Sequence, residues 1–413
     1  VNSSSFQWSA NSKDMLAAVD GDLFLVHRNG KSDQLTKTDA EEEDAKLSPN
    51  GAHVLYRSQS NLYLLNVANK KVSALTKDGT ATLLNGQLDW VYPEELDLGT
   101  ASWWSPDSQK IAFMQFDVAS EFVYPQSDLL GERAQAEPER YPQSGTPNAR
   151  VRVGVIDLSA GTTKWMDLGD TGKTLLPRVI WMPDSETLAV ERLSRVQDKL
   201  ELLFCNSSKG SVHRVLKEES KTWINFTDNF FPLKSGGEFL WTSESSGFRH
   251  IYRYSNKGEL LSQLTDGDWE VRGVSAIDEA KQRVYFASSE VSPLETQLYS
   301  VGFSGGERKR ITTEEGTHVI HANANGSAFV DTFSSFHEPH QSLLKNAAGQ
   351  KVHVLAKPDT APQEEYTLLD SEIIQLKSGN GDTLYGSLTK PAHYKAGTQY
   401  PLIVEVYGGP GVQ

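Results

Sequence analysis

The sequence predicts an all-β fold: a β-propeller of seven or so blades over residues 1–365, followed by the beginning of a second domain over residues 366–413. Three observations lead there. A unit recurs along the chain: a polar turn, a short apolar strand, a second strand ending in a Leu-Tyr-like pair, a polar loop and Leu-Thr. Its spacing is a blade length, with Leu35-Thr36 and Leu75-Thr76 40 residues apart and Leu264 and Ile311 47 apart. Strand-like alternation between frequent turn signals prevails, and helical periodicity is scarce.

The first unit reads Ser9-Ala10-Asn11-Ser12, strands at 15–19 and 23–26, then Leu35-Thr36. The second reads Ser48-Pro49-Asn50-Gly51, strands at 54–56 and 61–65, then Leu75-Thr76. The turn returns as Ser105-Pro106-Asp107-Ser108 and Met182-Pro183-Asp184-Ser185, before strands at 111–114 and 187–190. Proline presets φ for a turn, and Asn or Asp followed by a small residue completes it. Later units are looser: strands at 239–241 and 250–254 with Leu264-Thr265, at 284–286 and 297–301 with Ile311-Thr312, and at 328–330 and 341–344. Radial repetition of this kind protects the edges of many short sheets.

One insertion, about residues 117–150, is rich in Pro, Glu, Ser and Gln. It is too long for a hairpin loop, and such segments are usually functional or mobile. After about residue 360 the character changes. An alternating stretch at 371–376, the turn Gly379-Asn380-Gly381-Asp382 and a strand at 383–388 form a hairpin. Residues 402–406 are mostly apolar on both faces, as in a buried strand of an α/β sheet. The second domain is therefore expected to be cut off at Gln413.

With 40 basic and 54 acidic residues the formal charge is −14, which argues against a nucleic-acid partner. It suits a cationic ligand or a solvated acidic surface. Cys205 is the only cysteine, so neither an internal disulfide nor a Cys-based zinc site is expected, and it reads as a small buried strand residue. No apolar run is long enough to span a membrane. Val1-Asn2-Ser3-Ser4-Ser5 reads as a processed or clipped start.

Gly302-Phe303-Ser304-Gly305-Gly306 matches a nucleophile elbow in spelling, but the mechanism needs a strand-to-helix turn and blade residues follow. Ser304 reads as a hairpin residue. His337-Glu338-Pro339-His340 has neither the spacing nor the helix of a zinc site. His318 and His321, three apart in a strand, face opposite sides, so no metal or cofactor site is predicted. Gly408-Gly409-Pro410-Gly411 lets the backbone turn tightly after an apolar strand. Tyr407 at that strand's end could donate its phenol to a developing oxyanion.

The most unusual stretch is Asp89-Trp90-Val91-Tyr92-Pro93-Glu94-Glu95-Leu96-Asp97. A strand would send adjacent glutamates to opposite faces, whereas a short helix or turn lets both point into one cavity. Two carboxylates on one wall suit a cation, a metal or a shared proton. A solvated acidic turn is the plainer alternative, but Trp90, Val91, Tyr92 and Leu96 predict a packed stretch that orients the acids.

That stretch resembles the double-glutamate motif of the dipeptidyl peptidase IV family, in the prolyl oligopeptidase clan. The resemblance continues, in order, through Trp103-Trp104-Ser105-Pro106-Asp107, Ala112-Phe113-Met114-Gln115-Phe116, Tyr141-Pro142-Gln143-Ser144-Gly145 with Asn148, and Gly247-Phe248-Arg249-His250-Ile251. It resumes at Tyr400-Pro401-Leu402-Ile403-Val404-Glu405-Val406-Tyr407-Gly408-Gly409-Pro410, and so covers nearly the whole chain.

The resemblance implies an eight-bladed propeller followed by an α/β-hydrolase domain, with the active site between them. It implies a serine-type dipeptidyl aminopeptidase that releases X-Pro or X-Ala dipeptides. Glu94 and Glu95 would bind the α-ammonium of peptides with a free N-terminus, and Tyr407 would match the oxyanion-hole tyrosine. Phe226, after Trp223-Ile224-Asn225, would match an aromatic lining the side where substrate enters. The Ser-Asp-His triad would lie beyond Gln413, so this chain alone is expected to be inactive. Family members often dimerise, which makes a homodimer of the complete enzyme a further expectation. Two features of the family's vertebrate members have no counterpart: an arginine of the first blades that helps hold the substrate carbonyl, absent around Ala18-Val19-Asp20-Gly21-Asp22-Leu23, and the cysteine-rich late blades. An exported or periplasmic bacterial enzyme is the resulting expectation. The alternatives are a prolyl tripeptidyl or acylaminoacyl peptidase of the same clan, or a non-catalytic peptide-binding propeller.

Overall fold

The recurring turn introduces the second strand of each of the first four sheets. In the computed structural model, which describes residues 6–361, 365–366, 368–369 and 371–408, Ser12, Gly51, Ser108 and Ser185 sit at φ between 57° and 73°. Each donates its N–H to the carbonyl three residues back, on Ser9, Ser48, Ser105 and Met182, at 2.8–3.1 Å. The side chains of Asn11, Asn50, Asp107 and Asp184 accept the N–H two residues on. A short amide or carboxylate at this place is thus part of the turn itself. The turns also join neighbouring sheets, because Asn50 N–H donates to Ser108 Oγ and Asp107 N–H to Ser185 Oγ, both at 3.1 Å.

The Leu-Thr pairs have an equally local cause. Thr36, Thr76 and Thr312 Oγ1 accept the N–H of Leu23, Leu62 and Leu298 at 2.7–2.9 Å. Leu35, Leu75 and Ile311 donate to the carbonyls of the same leucines. In these three sheets the pair thereby fastens the end of the fourth strand to the third.

The chain divides into two compact units, Val1–Gln263 and Leu264–Gln413. Among the described residues the first unit holds five antiparallel sheets of four or more strands, in chain order, besides the two-stranded ribbons of the 117–150 insertion. The first sheet is Phe6–Trp8, Asp14–Val19, Asp22–His27 and Ser32–Gln34, and the second Glu43–Leu47, His53–Ser58, Asn61–Asn66 and Val72–Ala74. The third is Ser102–Trp104, Lys110–Asp117, Arg150–Asp157 and Thr162–Trp165, with Leu83–Asn85 added beside Lys110–Asp117. The fourth is Thr174–Trp181, Thr187–Ser194, Lys199–Asn206 and Val212–Glu219, and the fifth Phe230–Pro232, Glu238–Ser243, His250–Ser255 and Leu260–Gln263.

The second unit carries a sixth sheet (Val271–Asp278, Arg283–Ser288, Gln297–Gly302, Lys309–Arg310) and a seventh (Thr317–Ala322, Ala328–Ser334, Gln341–Asn346, Lys351–Ala356). The hairpin Ser371–Lys377 with Thr383–Thr389 follows. These are the meanders of a β-propeller, and among the described residues they number seven, the lower of the two blade counts expected.

The 117–150 insertion is an arm rather than an irregular loop. Val123–Tyr124 pairs with Glu139–Arg140, and Ser127–Asp128 with Gln135–Ala136. Ser304 lies in the turn between Gln297–Gly302 and Lys309–Arg310, as expected. Cys205 is buried, which pushes its thiol up to about 12 and makes it a core residue. The 402–406 segment, expected to be a buried strand, forms no strand, and Ile403 is 91% exposed. A strand of a parallel sheet gets its ladder from its neighbours, and among the described residues none pairs with this one. Gly409, Pro410 and Gly411 lie outside the described residues.

Candidate functional site

The Glu94–Glu95 stretch is helical, and its sequence explains how it is held. A single short α-helix covers Val91–Leu96. Asp89 Oδ1 accepts the Tyr92 N–H at 3.0 Å at its start. At its end Asp97 takes the left-handed conformation, with φ 49°, and returns its N–H to the Tyr92 carbonyl. Tyr92 and Leu96, four apart, share the inner face and are buried. The Tyr92 ring stands edge-on to Phe116 at 4.9 Å, and its hydroxyl accepts the Leu176 N–H at 2.9 Å. Burying a leucine contributes roughly 1.5–3 kcal/mol, enough to hold a six-residue helix that would not persist alone. Glu94 and Glu95 fall on the outer side and are exposed. The expected packing of the apolar neighbours thus fixes a surface from which both acids project.

Topology gathers other segments on the same edge of the first unit. In a four-stranded meander, the connection entering the first strand and the loop between the second and third strands leave at the same end. The helix enters the third sheet, the arm joins that sheet's second and third strands, and residues 220–229 enter the fifth. The aromatic base of the arm meets the helix directly: Trp90 packs on Tyr141 at 4.2 Å, and Tyr141 on Tyr124 at 6.3 Å.

Arg178 joins the helix to Phe226. Its Nη1 donates to the Leu96 carbonyl at 2.8 Å, its Nε to Asp228 Oδ1 at 2.6 Å, and its guanidinium lies over the Phe226 ring at 4.8 Å. The fold therefore brings Glu94, Glu95 and Phe226 into one neighbourhood through a residue that sequence reading missed. The signal was present: a charged residue inside the apolar run Leu175-Leu176-Pro177-Arg178-Val179 has to have a polar partner. Tyr407 belongs to the second unit, where its side chain is 76% exposed.

A cavity of about 810 Å³ opens beside the Phe226 loop, lined by Glu218, Trp223, Asn225, Glu244 and Arg249 among others. Glu244 accepts two hydrogen bonds from Asn225 Nδ2 and lies 3.6 Å from Arg249. Burial raises Glu218 above the ordinary carboxyl range, although Ser243 and Trp241 bond to it. Among the described residues no group of three or more His, Cys, Asp or Glu is arranged to hold a metal ion.

Glu191 lies across the strand pair from Arg178 and is almost completely buried, with no hydrogen bond to either carboxyl oxygen. Burial pushes it up to about 8 against the pull of Arg178, and Asp228 and Glu218 add to the rise. A carboxyl raised in the folded state contributes its full share of stability below the ordinary value of 4.5 and loses it as pH climbs to about 8. Glu191→Gln is expected to flatten stability across that window. At pH 8 it should gain on the order of 3 kcal/mol, read from denaturant unfolding at a series of pH values. A variant whose stability falls between pH 5 and 8 as steeply as the parent's would show that Glu191 is not the titrating group.

Comparison with known proteins agrees with this architecture. The family model described as "Dipeptidyl peptidase IV (DPP IV) N-terminal region" matches residues 5–340. A protein named "Probable dipeptidyl peptidase 4" from Emericella nidulans is 27% identical over 398 residues, covering 89% of this chain and 51% of that protein. The dipeptidyl peptidase 4 of Trichophyton rubrum is 26% identical over 394 residues, with 89% and 50% covered. The chain thus spans about half the length of the curated relatives it matches. The crystal structure of Porphyromonas gingivalis dipeptidyl peptidase 4 superimposes with a TM-score of 0.87 at 22% identity, covering 96% of this chain and 58% of that one. With the family model spanning most of the chain and the fold shared, this chain belongs to the dipeptidyl peptidase IV family and carries its N-terminal propeller region.

Proposed function

We propose that the complete protein is a serine dipeptidyl aminopeptidase that releases X-Pro or X-Ala dipeptides, and that this chain supplies its substrate ruler. The observation that carries the reading is the Val91–Leu96 helix, which presents two exposed carboxylates on its outer side, on a support anchored by Tyr92, Leu96 and Arg178. Paired carboxylates hold a protonated amine by charge-assisted hydrogen bonds, and the cation relieves their mutual repulsion. An amine held there limits how much of the peptide reaches the cutting residues. Phe226 lines the approach, and Tyr407 donates to the oxyanion while serine, histidine and aspartate beyond Gln413 perform acyl transfer. The family membership of the chain and the length of its relatives support this division of labour.

The test is cleavage of a defined peptide by the complete enzyme, with free and N-acetylated termini compared by mass spectrometry. Release of dipeptides from the free form alone is expected. Tripeptide release, or equal cleavage of the acetylated form, would transfer the protein to the tripeptidyl or acylaminoacyl reading. A second expectation follows from the amine itself. Because the bound form is the ammonium, kcat/KM should fall as pH rises past roughly 8, the range of a peptide α-amine.

A further inference from the structure

Two more acids meet beneath the Glu94–Glu95 helix. Asp89 precedes the helix, Glu121 opens the arm, and both are buried. Asp89 Oδ1 accepts the Tyr92 N–H at 3.0 Å, and Glu121 Oε1 accepts the Ala149 N–H at 2.9 Å at the other root of the arm. Their remaining oxygens, Asp89 Oδ2 and Glu121 Oε2, are buried with no donor of their own. The two carboxyl groups stand within hydrogen-bonding reach of each other. Two ionised carboxylates offer only acceptors, so a bond between them requires one proton. Arg140 does not take that place: its Nη1 is bonded to the backbone carbonyls of Val118 and Glu121, and neither free carboxyl oxygen receives a hydrogen bond from it.

We infer that Asp89 and Glu121 are positioning residues: through one shared proton they tie both roots of the arm to the first turn of the helix, and so set where Glu94 and Glu95 stand. This rests on the reading of the two glutamates as the amine site. The titratable groups facing the pair among the described residues are Tyr92, from the helix, and Arg140, from the arm. Glu94 and Glu95 lie on the outer side. Burial first, and for Glu121 the neighbouring Asp89 charge as well, raises both acids above the ordinary carboxyl range, so the proton is retained at pH values where free carboxyls are ionised. Its loss in alkaline solution leaves two like charges in a buried site and loosens the junction.

The test is amide hydrogen exchange of Tyr92 and Ala149, corrected for intrinsic rate, in this chain between about pH 6 and about pH 9. Protection in the parent is expected to fall about tenfold or more across the range, while Glu121→Gln, whose amide donates permanently to Asp89, stays level within about twofold. Asp89→Asn is the independent second variant and is expected to behave likewise. In the complete enzyme the same substitutions should remove the alkaline rise in KM in excess of that due to the substrate amine, with kcat unchanged. Level protection in the parent, or an identical step in both variants, would overturn the proposal. A step that behaves as expected, together with KM indifferent to Glu94→Gln and Glu95→Gln, would leave the junction standing and remove the amine reading instead.

Discussion

Replacing Glu94 or Glu95 by alanine in the complete enzyme is expected to lower kcat/KM for an Ala-Pro or Gly-Pro chromogenic substrate by roughly 10²–10³-fold, the usual effect of leaving a bound charge without its partner. Folding should hardly change. Both side chains are exposed and the helix is held by Tyr92, Leu96 and Arg178 on its other side, so unfolding stability should stay within about 0.5 kcal/mol. The isosteric variants Glu94→Gln and Glu95→Gln separate charge from shape. They should lose nearly as much as the alanines, since glutamine keeps a hydrogen-bond acceptor but not the ionic attraction. Near-normal cleavage by both alanine variants would end the assignment of these acids to the substrate's amino terminus.

The second large effect concerns stability in the Leu264–Gln413 unit. Lys345 is almost fully buried in the seventh sheet, with Nζ 2.8 Å from Glu314 and 2.9 Å from Asp331. Asp331 is completely buried and also meets His318 Nδ1 at 2.7 Å, while His318 Nε2 lies 3.0 Å from the Glu314 carbonyl. Lys345→Met strips this network of a cation and leaves Asp331 with only the histidine. Breaking a buried pair by removing one partner typically costs about 3–5 kcal/mol. The double variant Lys345→Met, Asp331→Asn should recover much of that loss, because the stranded charge is gone as well. Hydrogen exchange across residues 317–356 reads the effect locally, which matters in a chain of two units. A single variant as stable as the parent would show that the network is neutral.

The same network has an acid limit. Burial pushes Glu314 up, but the Lys345 bond, backbone N–H groups and the Lys345 charge outweigh it and bring the carboxyl down to about 2. The sign is that of a depressed acid: its contribution is complete above the ordinary 4.5 and disappears as pH falls toward about 2. Lys345→Met should therefore also flatten the acid limb of unfolding.

Much of this protein follows from local rules. The Ser-Pro-Asp-type turn, the Leu-Thr pair and the blade-length spacing were legible because each is satisfied within a few residues or by the adjacent strand. Ser304 could be set aside for the same reason: the strand that follows it is a local fact. A short helix or turn at Glu94 and Glu95, and the packing of Tyr92 and Leu96, also followed from neighbouring residues; that it is a helix was decided by the structure. The arm was legible only as an interruption, since its ribbons pair residues too few and too polar to show alternation.

What the sequence by itself determined was the repeating sheet unit, the family resemblance and the double-glutamate stretch. Arg178 reaching from the fourth sheet to the Leu96 carbonyl, the Asp89–Glu121 contact and the solitary burial of Glu191 were decided only by tertiary structure. Each depends on residues tens of positions apart brought into a low-dielectric interior, where a carboxyl's protonation and an arginine's partners are set by neighbours that no local pattern names. The two glutamates and the apolar face beneath them could be found by reading along the chain; the distant partners that fix that helix, Arg178 and Glu121, could not.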